Sequence, residues 1–365
     1  GVFFGEAGET VPDPYFDGEG PDRTGCIYCG ECMQGCRVGA KNTLMKNYLW
    51  FAERRGVECH TERQVIDIQP LGAGDGSEGY RVLTQRPGAW LRKRPREFRA
   101  RGIVFSAGAL GTNMLLAKCK LNGSLPNISD RLGSLVRTNS ESILAVTMPR
   151  GTEKIWSDVM ISCSLHPRPD THIELNTFGK SADSLAYLQT LMTGKGNRLT
   201  RPFRWLGQVV RHPLVFLRTL WPVGWSQRSI ILLVMQTLDN AISFRAKRGL
   251  FGRFRLVTEQ DPEKPNPTYI DIANEATGFL AEKHGGVAQS SVLEALANIP
   301  TTAHILGGAV IGDAPETGVV DRDSRVFGYR NMLICDGSTV PANPGVNPSL
   351  TITALSELAM SKVPE

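Results

Sequence analysis

The sequence predicts a mixed α/β chain in which segments of nucleotide-domain type interleave with a mostly antiparallel portion. Three observations carry that expectation. An apolar strand, Ile103 to Phe105, runs through the small-residue turn Ser106-Ala-Gly108 into a helix that reaches Leu116, the join at which an open α/β sheet holds a nucleotide. A second strand ends on Asp336-Gly337, and a short loop leads from it into a helix headed by Asn347-Pro348. Between these lie strand-like runs at Val159 to Leu165, His172 to Leu175, Ile230 to Met235 and Ala241 to Phe244, the material of an antiparallel sheet.

The composition agrees and excludes several classes. The 365 residues allow two domains and a large core. Hydrophobic residues make up 41% and charged residues 21%, a globular balance that rules out disordered or collagen-like chains. The net charge of +5 is too slight to point to nucleic acid. The longest apolar stretch, Ile230 to Met235, cannot cross a bilayer. Eight cysteines are too few for a disulfide scaffold, and four of them crowd between positions 26 and 36.

Taken in order, residues 1 to 41 are rich in Gly, Pro and Asp and read as a surface loop. Ala40 to Arg55 reads as a helix, with Asn42 and Thr43 as caps and Gly56 as its stop. Gln64 to Gln69 and Tyr80 to Thr84 form a hairpin about a polar Gly-rich turn, and Phe98 to Phe105 is a further strand. A basic, aromatic insertion of helical character spans roughly 181 to 226. A single helix is expected from Thr277 to about Ala297.

Several residues invite chemistry. Gly108 and Gly111 let the backbone approach a bound group, toward which the new helix would point its free N–H groups. The helix after Asn347 carries roughly half a positive charge at its start, a good place for a group that becomes an anion. His304 precedes a Gly307-Gly308 turn and lies 43 residues before Asn347. Cys26, Cys29, Cys32 and Cys36 have ferredoxin-like spacing and could hold an iron–sulfur cluster, although Arg37 stands where proline is usual. A zinc-tied loop and free thiols are the alternatives. In the insertion, Arg201, Arg204, Arg211 and Arg218 alternate with Phe203, Trp205, Phe216, Trp221 and Trp225. That pattern suits a membrane–water interface or a packed lid.

Together, His304-X-Leu-Gly-Gly, Gly318-Val-Val-Asp, Tyr329-Arg-Asn-Met-Leu, Asp336-Gly-Ser and Gly345-Val-Asn-Pro resemble the glucose–methanol–choline family of FAD-dependent oxidoreductases. Further segments, among them Arg137-Thr-Asn-Ser-Glu-Ser, Asp170-Thr-His-Ile-Glu174 and Gln236-X-Leu-Asp-Asn, resemble the bacterial members that act on 3β-hydroxysterols. The resemblance covers nearly the whole chain. It implies that His304 and Asn347 form the alcohol-oxidising pair, and that Glu174 is a base that moves a ring double bond. It places Val65 against the adenine end of FAD and Ala107 and Gly108 along the adenosine. It places Asp336, Gly337, Pro348 and Ser349 near the flavin. It also implies a sterol substrate, which a sterol oxidase must draw from a bilayer; the slight net charge argues against a nucleic-acid partner. The expected division is an FAD-binding domain of residues 1–139 and 298–365, carrying a Cys-rich loop at 20–40, around a substrate domain of residues 140–297. The family's opening Gly-X-Gly-X-X-Gly turn is not found: the dense run Gly72 to Gly79 lies in a polar hairpin. The Rossmann-like domain is therefore expected to be incomplete, with Gly1 at a truncation. An alcohol or sterol dehydrogenase using another electron acceptor, and an inactive lipid-binding remnant, are the competing readings.

Overall fold

A computed structural model describes residues 1–152, 155 and 158–363, with the backbone alone at position 251. Its helices are α1 (Tyr48–Arg54), α2 (Gly108–Asn122), α3 (Thr200–Arg211), α4 (Pro213–Thr219), α5 (Asp271–His284), α6 (Val292–Ala297) and α7 (Ser349–Met360). The chain divides into two compact units. One comprises Gly1–His60, Ser142–Val234 and Thr268–Thr301; the other comprises Thr61–Glu141, Met235–Pro267 and Thr302–Glu365. The expected division cuts the chain at 139 and 298. Residues 1–60 and 235–267, however, cluster opposite to the expected division.

The first unit is organised by a six-stranded sheet in the order Gln189–Leu191, Val287–Ser291, Ser142–Thr147, Ser229–Gln236, Thr171–Thr177, Ile161–Arg168. The strand Ser229–Gln236 reads as an unbroken apolar run because both faces of the sheet are covered. Leu144, Val146, Ile173, Leu232 and Val234 pack on one face with Ile270, Ala273 and Ala281. Ala145 and Ile231, one residue out of phase, pack on the other with Phe178, Ala186 and Trp225. Each fully buried Leu or Ile here contributes about 1.5–3 kcal/mol.

The second unit holds three smaller sheets. Gln64–Pro70, Tyr80–Gln85 and Arg96–Ala100 form an antiparallel meander. Phe254–Gln260, Ile242–Arg248, Ser134–Arg137 and Leu306–Gly308 form a second antiparallel sheet. Ile103–Phe105 pairs in parallel with Met332–Ile334 and feeds α2. The core gathers Tyr80, Phe105, Leu116, Cys119, Val320, Met332 and Ile334. A mixed α/β architecture with antiparallel sheets is thus what the chain adopts.

Three expectations need correction. The helix expected from Ala40 begins only at Tyr48, because Asn47 accepts the Tyr48 N–H at 2.6 Å and caps it there. The strand expected from Phe98 to Phe105 breaks at Arg101-Gly102, and its second half leaves the meander for the parallel pair. The helix expected to run to Ala297 is in fact α5, a strand and α6. Gly285, at φ +62°, ends α5, and Val287–Ser291 then pairs with Ser142–Thr147.

Candidate active site

The site is built in the second unit on the short connection after Ser134–Arg137. Asn139 and Ser140 are buried and both adopt left-handed backbone, φ +57° and +50°, which folds the chain sharply back. The fold-back turns Asn139 toward the loop before Asn347. Its N–H donates to Asn343 Oδ1 at 2.9 Å, its Oδ1 accepts the Gly345 N–H at 2.9 Å, and its Nδ2 donates to the Val346 carbonyl at 3.0 Å. Arg137 braces the same loop, donating to the Pro341 carbonyl at 2.7 Å and to Asp239 and the Asn240 carbonyl at 3.0 and 2.8 Å. Asn240 closes the network by donating to Ser140 Oγ at 2.9 Å.

Two residues beyond Asn139, Glu141 meets His304. Glu141 Oε1 is hydrogen-bonded to His304 Nδ1, and Glu141 Oε2 accepts the Ala303 N–H at 2.5 Å. The Glu141 side chain is fully buried, whereas that of His304 is 16% exposed. The turn is further held by Thr302, whose hydroxyl donates to the Thr138 carbonyl at 2.8 Å and accepts the His304 N–H at 2.9 Å. With Nδ1 fixed on the carboxylate, Nε2 is the ring nitrogen that remains for other chemistry. The buried carboxylate fixes the orientation of the ring and leaves Nε2 on its more exposed side.

The glycines after His304 are steric necessities. A Cβ on Gly307, at φ +72°, would stand 2.1 Å from the Leu135 carbonyl oxygen, and one on Gly308 would stand 2.5 Å from the Asn113 amide. Asn113 donates to the Gly307 carbonyl at 3.0 Å and so pins this turn to α2. Residues 138–141 therefore anchor both the His304 turn and the loop that delivers Asn347.

Asn347 is half-buried in that loop. The expectation that it caps the following helix is corrected: α7 starts at Ser349 with Pro348 in the cap position, and no side chain caps it. Ser349 lies exposed on the first turn of a helix whose N–H groups point outward. The start of α2 differs. Asp336 accepts the Gly108 N–H at 3.0 Å, the Thr112 hydroxyl at 2.5 Å, the Ser338 N–H at 2.8 Å and the Ser338 hydroxyl at 2.6 Å. The first N–H of α2 is thus held by the chain's own Asp336. Ala107 and Gly108 remain exposed, and the left-handed Gly108, φ +71°, has nothing within 4 Å of where a Cβ would be. Gly337 is buried, and a Cβ there would press on Leu306 and Ile352 at 3.0 and 3.1 Å. Val65 is half-buried at a bulge in its strand. The open Ala107-Gly108 turn and the uncapped start of α7 are features that fit a flavin dinucleotide: close backbone approach at one, favourable dipole at the other.

Glu174 belongs to the other unit. It lies buried in Thr171–Thr177, paired with Ser164. Ile173 and Leu175 point into the apolar layer beneath α5, so His172, Glu174 and Asn176 share the opposite face. The cysteine cluster gives a correction. Cys26, Cys29, Cys32 and Cys36 line one small recess with Gly30 and Lys41. Yet among the described residues no group of three or more His, Cys, Asp or Glu is arranged to hold a metal ion, and all four thiols are free. Cys26 and Cys36 instead accept the backbone N–H groups of Tyr28 and Lys41, both at 3.4 Å.

Glu141 is a candidate site residue that the motifs alone do not single out. A signal was present: it sits in the polar run Arg137 to Ser142 immediately before a buried apolar strand, where a burial cost demands partners.

Comparison with known proteins follows this geometry. Residues 252–356 match the family model described as GMC oxidoreductase. The chain is 46% identical over 360 residues to a cholesterol oxidase of Acinetobacter baumannii, covering 98% of this chain and 65% of the relative. It is 48% identical over 377 residues to a cholesterol oxidase of Mycobacterium tuberculosis strain H37Rv, covering all of this chain and 64% of the relative. The chain thus spans just under two thirds of the length of these relatives. A pyridoxine 4-oxidase structure aligns with TM-score 0.51 at 14% identity, over 82% of this chain and 57% of the other, a likeness of fold.

Proposed function

We propose that the chain, which matches the GMC oxidoreductase model over residues 252–356, is part of such an enzyme and supplies the alcohol-oxidising site of an FAD-dependent oxidase that converts a 3β-hydroxysterol to the 3-ketone and passes the electrons to oxygen. The observation that carries this reading is the buried Glu141 carboxylate on His304 Nδ1, in the turn that ends in Gly307-Gly308. In the proposal His304 Nε2 takes the hydroxyl proton of the substrate as the C–H bond at the same carbon is broken. Glu141 holds the imidazole in one orientation and balances the charge it gains. Asn347 offers an amide contact to the same hydroxyl. Val65, Ala107, Gly108, Gly337, Pro348 and Ser349 would hold FAD, with the start of α7 toward its flavin. When bound, FAD supplies the two-electron acceptor for that oxidation.

Glu174 is proposed as the base that transfers a proton between ring carbons once the ketone has acidified the adjacent C–H, giving the conjugated isomer. The insertion is proposed to meet the bilayer that holds the sterol. Its helices pack on each other through Trp205 and Phe216, ring centroids 5.5 Å apart, and leave Phe203 and Trp221 at the surface. Among the described residues no helix is long and apolar enough to cross a membrane. A metal at the cysteine cluster would have favoured another electron acceptor, and among the described residues no ligand set is found there.

The test is addition of cholesterol to the flavin-loaded protein under air. Hydrogen peroxide and a 3-ketone in equal amounts are expected. Ketone that forms only with an artificial electron acceptor would overturn the oxidase assignment, and no ketone with any acceptor would overturn the sterol.

A further inference from the structure

The insertion also shapes a cavity that the proposed chemistry does not use. Between Asp183 and Asp239 the sequence contains no Asp or Glu but seven Lys and Arg. Within this stretch Leu199, Phe203, Leu206 and Val210 recur every three or four residues, and they are 50–76% exposed. Such a stripe normally faces a core; here it faces outward. The opposite side of α3 is fixed by Arg201, which is fully buried and ion-paired with Glu294 at 3.0 Å. The stripe is therefore held in place with its apolar face outward and cations beside it, the pattern of a helix that lies on an anionic bilayer.

Beside α4 is a cavity of about 520 Å³. Arg150, Arg218 and Arg228 line it together with Trp225 and Gln289, and no carboxylate does. Gln289 is completely buried. Its Oε1 accepts the Thr147 hydroxyl at 2.5 Å and the Trp225 indole N–H at 3.3 Å, while its Nε2 has no partner. Arg228 has its pKa lowered by burial and by the neighbouring Arg150 charge, with Asp183 opposing. Asp183 is itself engaged by the N–H groups of Gly224 and Ser226. The cavity thus presents three guanidinium groups and an orphan amide donor, a lining that calls for an anion with several oxygens.

We propose that this cavity binds the phosphate of an anionic phospholipid headgroup while the apolar stripe of α3 lies in the same bilayer, so that docking is selective for lipid class. The inference takes its setting from the bilayer contact proposed above. Its test uses sterol-free vesicles, so that the two can fail separately.

The experiment measures binding to phosphatidylcholine vesicles with and without phosphatidylglycerol. Arg150→Gln/Arg218→Gln removes two exposed cavity charges, and Arg204→Gln/Arg211→Gln removes two outside it. The cavity pair is expected to lose about tenfold more affinity for the phosphatidylglycerol vesicles than the outer pair, and glycerol 1-phosphate is expected to compete. Equal losses would mean diffuse attraction between charges and overturn the cavity. Competition by inorganic phosphate alone, with no dependence on phosphatidylglycerol, would overturn the lipid in favour of a free-phosphate site. Phe203→Ser/Val210→Ser is expected to weaken binding to both vesicle types while the preference for phosphatidylglycerol persists. Loss of that preference with the stripe would also overturn the cavity.

Discussion

Glu141 and Asp336 are both buried carboxylates of one unit, 3% and 7% exposed, yet they keep different company. Asp336 accepts four hydrogen bonds from groups that do not titrate in the working range, and it joins the strand Met332–Ile334 to the start of α2. Glu141 gives one oxygen to a backbone N–H and the other to a histidine that is itself part exposed. The first arrangement ties two elements together; the second sets a carboxylate against an imidazole that reaches the surface. Burial of a carboxylate does not distinguish these roles, whereas the valence left on its partner does.

The largest effect that would sharpen the contrast is on stability. Asp336→Ala leaves four donors without their acceptor and is expected to cost about 3 kcal/mol or more in urea unfolding. Glu141→Gln keeps an acceptor for the Ala303 N–H and is expected to cost about 1 kcal/mol. Equal losses would break the distinction. Next comes activity: Glu141→Gln is expected to slow flavin reduction by sterol about tenfold or more, since the ring keeps a neighbour but loses its counter-charge.

Glu174→Gln is expected to change the product rather than the rate of oxidation. The unconjugated ketone should accumulate, read from the missing conjugated-enone absorbance. Conjugated product at the parent rate would return Glu174 to an ordinary strand position.

The smallest expected effect lies in the cysteine recess. Burial pushes the Cys26 thiol up, aided by repulsion from Cys32, Cys29 and Cys36, against one opposing Tyr28 N–H. Burial also raises Cys36, but the N–H groups of Lys41, Ala40, Gly39 and Val38 outweigh it and hold that thiol below its usual range. As pH rises, the Cys36 thiolate therefore forms first. Iodoacetamide should label Cys36 at lower pH than Cys26, and the reverse order would contradict this reading of the recess.

How much of this was legible follows from what sets each feature. Ser229–Gln236 and the hairpin Gln64–Pro70 with Tyr80–Gln85 announce themselves, because local alternation or continuous apolarity is itself the cause of the strand. Val287–Ser291 does not: its polar Gln289, Ser290 and Ser291 become a strand through pairing with Ser142–Thr147, a long-range contact that no local pattern records. His304 was singled out by its place before Gly307-Gly308 and by the resemblance of that segment to the family. Its partner Glu141 is 163 residues away, brought in by two left-handed residues that nothing in their identity requires. The four cysteines show the converse: their spacing suggested a ligand set, but among the described residues they are not arranged as one.

The central claim is that the His304–Glu141 pair handles the proton of alcohol oxidation. Single-turnover reduction of the flavin-loaded protein by cholesterol, compared between the parent and His304→Ala, tests it most directly. The account predicts slowing by about 10²-fold or more with cofactor content unchanged. Reduction at the parent rate would remove His304, and Glu141 with it, from the mechanism.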